Sequence, residues 1–135
     1  MNFDLSEEHR AFADAVRRFA QDKLAPGALE RAHSRQYPWD VAPMLAEQGL
    51  LGIAFDEADG GQGGTLMHAV LAIQEVALAC PKSADIVQAG NFGPIRTFVE
   101  YASADQKASG SLVTGSSKGP TRANIPSSCT RTTCA

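Results

Sequence analysis

Apolar positions recur along this chain at helical spacing rather than in strand alternation. Ser6 followed by Glu7 and Glu8 is a helix start, a capping hydroxyl with acids set against the positive end of the helix dipole. Phe12, Val16, Phe19 and Leu24 follow at roughly helical intervals, while Arg10, Asp14, Arg17, Arg18 and Asp22 fill the rest of the wheel. The pattern predicts an amphipathic helix of about five turns, stopped by Pro26 and Gly27. A polar connection comes next, and Pro38 opens a second helix carrying Val41, Met44 and Leu45. Gly49 with Leu50 behind it reads as a left-handed cap with an apolar latch. Residues 51–55 form a short apolar stretch expected to be extended, and residues 56–64 a loop with four glycines in its last five positions.

Residues 66–79 predict a helix that is apolar on more than one side, with only His68, Gln74 and Glu75 polar. Such a helix needs neighbours around most of its circumference. Pro81 ends it, and another helix is predicted over 84–101, weakened and kinked by Gly90, Gly93 and Pro94. Ser103-Ala-Asp-Gln106 is a capping box announcing a further helix that the following residues do not continue. From residue 108 onward, 16 of 28 residues are Ser, Thr, Gly or Pro, with no aromatic and no acid. That segment cannot bury enough apolar surface to offset its ordering entropy. The expectation is an all-α fold of about four to five packed helices over residues 1–107, followed by a disordered tail over 108–135.

Composition sharpens this division. At 135 residues, 44% hydrophobic and 20% charged, the chain fits one globular domain. The net charge of −3 hides a split, −6 over residues 1–107 and +3 over residues 108–135. A nucleic-acid partner is not expected, because phosphate binding needs a clustered basic face. The acidic N-terminus lacks the basic and apolar regions of a signal peptide. The longest apolar stretch, 69–80, is interrupted by Gln74 and Glu75 and is too short for a bilayer, so no membrane partner is expected either. Three cysteines, Cys80, Cys129 and Cys134, without a secretory signal read as reduced thiols, and the cytoplasm is the default. Cys129 and Cys134 have no nearby His or acid and make a poor zinc pair, so no metal site is expected.

Several stretches imitate chemistry without supplying its parts. Asp56-Glu-Ala-Asp59 spells a helicase box, but no phosphate loop precedes it, and the nearest imitation, 110–115, is followed by Ser116 where a lysine belongs. Gly60-Gly-Gln-Gly-Gly64 imitates a dinucleotide loop, but the third glycine of that fingerprint falls on Leu66 and no βαβ unit surrounds it. His9, His33 and His68 are scattered, and none has a Ser, Cys or carboxylate at triad spacing. Glu75 and Glu100 are single carboxylates without an acid–base mate. Unaided, the residues predict a helical domain and no catalytic residue.

Taken together the pieces are more specific. Asp4-Leu-Ser-Glu-Glu-His9 opens an amphipathic helix, and Leu45-Ala-Glu-Gln-Gly-Leu-Leu-Gly52 follows it. The loop Asp56-Glu-Ala-Asp-Gly-Gly-Gln-Gly-Gly64 then runs into an apolar helix, and a last helix ends in Ser103-Ala-Asp-Gln-Lys107. In this order and spacing, residues 3–107 resemble the N-terminal helical domain of FAD-dependent acyl-CoA dehydrogenases. Gly-Leu-Leu-Gly with Gly-Gly-x-Gly is the most diagnostic pair, and Asp56 departs from the proline usual there.

The resemblance implies a scaffold of three parts: this helical domain, a central β-domain and a C-terminal four-helix bundle. It also implies α,β-dehydrogenation of an acyl-CoA thioester, a glutamate removing the α proton and a hydride passing to FAD. The base and most flavin contacts would lie in the two later domains, so FAD binding by this chain alone is not expected. The partners implied are acyl-CoA and the missing β-domain and C-terminal helical domain, or a subunit supplying them. The family's acyl-pocket wall corresponds to Asp85, Ile86 and Ala89, with Gly90 and Phe92 adjacent; Ile86, Ala89 and Phe92 could instead pack inside the helical domain. Gly60, Gly61, Gly63 and Gly64 would lie at the domain junction, as structure rather than ligand. The change of composition after Lys107, inside an expected helix, suggests a shifted reading frame or a truncated gene. A different reading is a non-enzymatic helical module that binds a partner through surplus apolar surface.

Overall fold

The structure, a computed structural model, describes residues 4–109. Of the tail expected to be disordered over 108–135, residues 108 and 109 belong to a helix instead, and the rest, with Cys129 and Cys134, lies outside the described residues. Helix α1, Glu7–Phe19, starts where the acids predicted it, with the Ser6 hydroxyl accepting the His9 N–H at 3.2 Å. It does not stop at Pro26. The chain widens into a π-helical turn over Ala20–Leu24, tightens into a 3₁₀ turn over Ala25–Gly27, and resumes as α2, Ala28–His33. Pro26 sits at the start of its own turn, where a missing N–H costs nothing, so the expected polar connection is partly helical. Ala20 and Leu24 are fully buried along the widened turn.

Helix α3, Val41–Glu47, ends in a left-handed cap as expected. Gly49 N–H donates to Ala46 and Leu50 N–H to Leu45 at 2.9 and 3.0 Å, and Leu50 is buried as the latch. Residues 51–55 were expected to be extended and are not. They form turns, because their hydrogen-bonding partners are a helix end and a loop rather than a neighbouring strand. Helix α4 covers Leu66–Ala79, the predicted span, behind a Thr65–His68 capping box. The single kinked helix expected over 84–101 is two helices, α5 over Pro81–Asn91 and α6 over Pro94–Tyr101. Gly93, at φ 71°, reverses the chain between them. The helix announced by the capping box does arrive, as the six residues of α7, Ala104–Ser109. The all-helical class holds, and the additional pieces come from these two breaks.

Helix α4 lies in the centre, with α1 and α5 packed along it. Its Ala69, Ala72 and Val76 meet Val16, Leu24, Val41, Leu45, Ile53 and Val87 in one core. The need for neighbours all round is only partly met. Leu66, Met67, Val70 and Leu78 remain 54%, 45%, 47% and 76% exposed.

One acid of α4 points inward. Glu75 is 2% exposed, and Arg17 of α1, its side chain 46% exposed, clasps it with two N–H donors at 2.7 and 3.0 Å. The hydrogen bonds and charge of Glu75 hold the Arg17 guanidinium above its ordinary value. Arg17→Met is expected to lower the urea midpoint more than Glu75→Met does. The first strands a carboxylate in the core, whereas the second leaves a guanidinium that reaches water. The double variant should be more stable than Arg17→Met alone; additive losses would show that the pair is not coupled.

Candidate functional site

The glycine loop is built against residues 51–55. Gly60 N–H donates to Glu57, Gly61 N–H to Asp56, Gln62 N–H to Gly52, Gly63 N–H to Phe55 and Gly64 N–H to Ile53, all at 2.8–3.0 Å. Five consecutive N–H groups therefore point at carbonyls of the chain itself, and none is left to cradle a phosphate. Close approach explains the residue type at the centre. A Cβ on Gly61 would lie 2.2 Å from the Phe55 carbonyl oxygen. The carboxylate of Asp59, in the 3₁₀ turn Glu57–Asp59, pairs with Lys107 at 2.7 Å, which ties α7 to the loop. The residues that spell a helicase box thus serve as a turn and an ion-pair anchor.

Asn91 fastens this unit to α5. Its Oδ1 accepts the Ile53 N–H at 2.6 Å, and its Nδ2 donates to Leu50 and Val87 carbonyls at 2.9 and 2.8 Å. Gly52 N–H donates to Gly90 at 3.0 Å, and a Cβ on Gly90 would press on Leu51 at 2.8 Å, so α5 and the turn are in direct contact. Asn91 is fully buried. Sequence reasoning missed it, although a polar residue one turn beyond Val87 and two beyond Ala84, both on the buried stripe, was the available signal.

The five proposed wall residues divide between two faces of one helix end. Asp85 and Ala89, four residues apart, are exposed together on the outer face of α5. Ile86 is buried in the core, Gly90 is half-buried against Leu51, and Phe92 packs at the core margin. The surface they offer is apolar and small, with one carboxylate, Asp85.

The histidines are less scattered than their positions suggest. His9 and His68 hold equivalent places in the first turns of α1 and α4, and their rings lie 4.7 Å apart. Ser6 Oγ is 2.7 Å from His9 Nδ1, and Thr65 Oγ1 is 2.8 Å from His68 Nδ1. Each hydroxyl also accepts a backbone N–H, so these are helix caps and not nucleophiles. His9 Nε2 is buried without a partner, so no third group orients it as a base. Burial alone would push the Cys80 thiol up, but hydrogen bonds from Ser83 at 3.1 Å and Arg31 at 3.5 Å outweigh it and hold the thiol below its ordinary value. The thiol is fully buried, so no substrate reaches it.

Among the described residues no group of three or more His, Cys, Asp or Glu is placed to hold a metal ion. None of their helices is long and apolar enough to cross a membrane. Among the described residues, the glycine-rich loop offers no pyrophosphate cradle, because its five N–H groups are bonded to the chain's own carbonyls. What the arrangement supplies is a rigid helical surface.

Comparison with known proteins agrees with this architecture. Residues 6–110 match the family described as acyl-CoA dehydrogenase, N-terminal domain. A 3-sulfinopropanoyl-CoA desulfinase of Paraburkholderia xenovorans is 34% identical over 105 residues, 78% of this chain and 27% of that protein. A probable acyl-CoA dehydrogenase of Bacillus subtilis is 36% identical over 80 residues, 59% and 21% of the two chains. A short-chain-specific acyl-CoA dehydrogenase of Clostridium acetobutylicum is 26% identical over 107 residues, 79% and 28%. The chain spans about a quarter of the length of these relatives.

Proposed function

The chain belongs to the acyl-CoA dehydrogenase family through its N-terminal domain, and on that premise we propose that it supplies the helical, substrate-facing part of a flavin-dependent acyl-CoA dehydrogenase scaffold and does not turn over substrate by itself. One observation carries this reading: the chain covers about 27% of the relative's length, and the described residues offer a built helical surface whose glycine loop spends its N–H groups on its own carbonyls. The family reaction removes an α proton and passes a β hydride to FAD, which needs both groups held in one geometry. In this reading the outer face of α5, Asp85 and Ala89 with Gly90 and Phe92 at its end, is the wall against which an acyl chain lies. Ile86 stands behind it as support. The loop over Gly60, Gly61, Gly63 and Gly64 lies at the junction with the later domains, and a partner subunit or downstream segment supplies those domains. Residues 1–107 are then the domain proper, working in the cytoplasm, and 108–135 a tail left by a shifted frame or a truncated gene.

Purified chain mixed with FAD is expected to release all flavin on ultrafiltration and to leave a dye acceptor unreduced with short-, medium- and branched-chain acyl-CoA. Flavin retained in stoichiometric amount would overturn the reading. The frame shift is checked in the coding DNA. After the Lys107 codon, one of the two other frames should encode a helix followed by Thr-Glu-Pro.

A second reading, a helical module that works by binding a partner without catalysis, is favoured by the uncovered apolar residues of α4, Leu66, Met67, Val70 and Leu78.

A further inference from the structure

Beyond Gly93 the chain is held lightly. Helix α6 packs against α5 but buries none of its residues completely. Ile95, Phe98, Val99 and Ala102, spaced as one helical face, are half-buried, and Tyr101 is exposed. In α7, Ala104, Asp105 and Gln106 are exposed. Among the described residues, no main-chain hydrogen bond outside the helices links residues 94–109 to the chain before Gly93. At the far end Lys107 Nζ donates to Asp59 Oδ1 at 2.7 Å, the two side chains 34% and 28% exposed.

Gly93 is a glycine for a different reason from Gly61. Its φ of 71° and ψ of −134° lie in a region that glycine enters readily and other residues do not. An added Cβ would meet nothing within 4 Å, so close approach does not select it. The backbone conformation does, and that conformation is what turns α6 back against α5.

We propose that residues 94–109 are a strap that opens and closes as one unit, hinged at Gly93 and latched to the glycine loop by Lys107 and Asp59. The inference concerns the motion of this chain and does not rest on the function proposed above. Closure covers one face of α6, whereas α4 has Ala69, Ala72 and Val76 wholly buried, so opening the strap costs far less than unfolding the core. A partly exposed ion pair adds only a little to that cost. Helices of eight and six residues are too short to persist undocked, so opening melts both together. It bares the flank of α5 beneath α6 and frees Asp59 on the glycine loop, while α1, α4 and α5 stay packed.

Amide hydrogen exchange on the full chain tests the strap. The amides of α6 and α7 are expected to share one low protection, at least about tenfold below that of α4. Asp59→Asn should speed their exchange about twofold to fivefold at low salt and leave α1 and α4 unchanged. Salt at about 1 M should erase that difference. The double variant Asp59→Lys, Lys107→Asp should return to the wild-type rate, which a role of Asp59 confined to its own turn would not produce. Gly93→Ala, whose methyl group strikes nothing, should speed the same amides about tenfold, because only opening relieves its backbone. Protection of α6 and α7 equal to that of α4, no protection of them at all, or equal acceleration of α1 and α4 in Gly93→Ala overturns the strap. Unchanged exchange in Asp59→Asn, or no recovery in the double variant, overturns the latch.

Discussion

Asn91→Ala is expected to be the most damaging single change in this chain, lowering stability by about 3–5 kcal/mol. The replacement leaves the buried Ile53 N–H and Leu50 carbonyl without partners, at about 1–3 kcal/mol for each buried group left unmade. It also opens a small cavity beneath the turn over residues 50–53. Stabilities of domains this size are only about 5–15 kcal/mol, so a large part of the total is at stake. The thermal midpoint, followed by far-ultraviolet circular dichroism, should fall by about 15–30 °C. Asn91→Asp gives a sharper check, because it keeps the acceptor for Ile53 but removes both donors and sets a charge against two carbonyls. It should be no more stable than Asn91→Ala. If either variant melted within a few degrees of the wild type, Asn91 would not be the fastening between α5 and the glycine loop.

Gly61→Ala is expected to follow closely, at about 3 kcal/mol, the upper end for overpacking. Its new methyl group would lie 2.2, 2.4 and 2.6 Å from the Phe55 oxygen, carbonyl carbon and Cβ. These are largely main-chain atoms and cannot swing aside. Relief would have to come from breaking the Gly61 to Asp56 and Gly63 to Phe55 hydrogen bonds, both 2.9 Å, that hold the loop closed. Gly63→Ala is the control. Its φ is +64°, but the nearest atoms, on the Glu57 side chain, are 3.7 Å from the added carbon, so only the left-handed backbone cost of about 1–2 kcal/mol applies. Urea midpoints should rank wild type above Gly63→Ala above Gly61→Ala. The reverse order would mean that backbone conformation, not close approach, selects glycine here.

Both predictions concern the same small unit, the turn at 50–55 with its glycine loop and α5. As the wall proposed above, α5 can hold Asp85 and Ala89 in place only if its far end is fixed. Asn91 and Gly90 provide that fixation from the buried side.

Local signals fared well where the physics is local. Ser6 and Ser103 each marked a helix start, because a cap is decided within three residues. Gly49 and Leu50 marked the end of α3 for the same reason. The expectation of an extended 51–55 failed because an apolar run of five looks alike in a buried strand and a buried turn. The polar connection after Pro26 hid α2, because proline breaks a helix only when its N–H is needed. The five residues proposed as a wall were expected on one helix, but burial separates Ile86 from Asp85 and Ala89.

By itself, then, the sequence determined the helical class, most helix starts and the family to which residues 6–110 belong, since periodicity, caps and motif spacing are all written over short distances. Only the tertiary structure decided which distant polar groups meet. Arg17 finds Glu75 across 58 positions, Lys107 finds Asp59 across 48, and Asn91 finds Ile53 across 38. Those pairings depend on how α1, α4 and α5 pack, and packing is a property of the whole core that no single window of sequence contains.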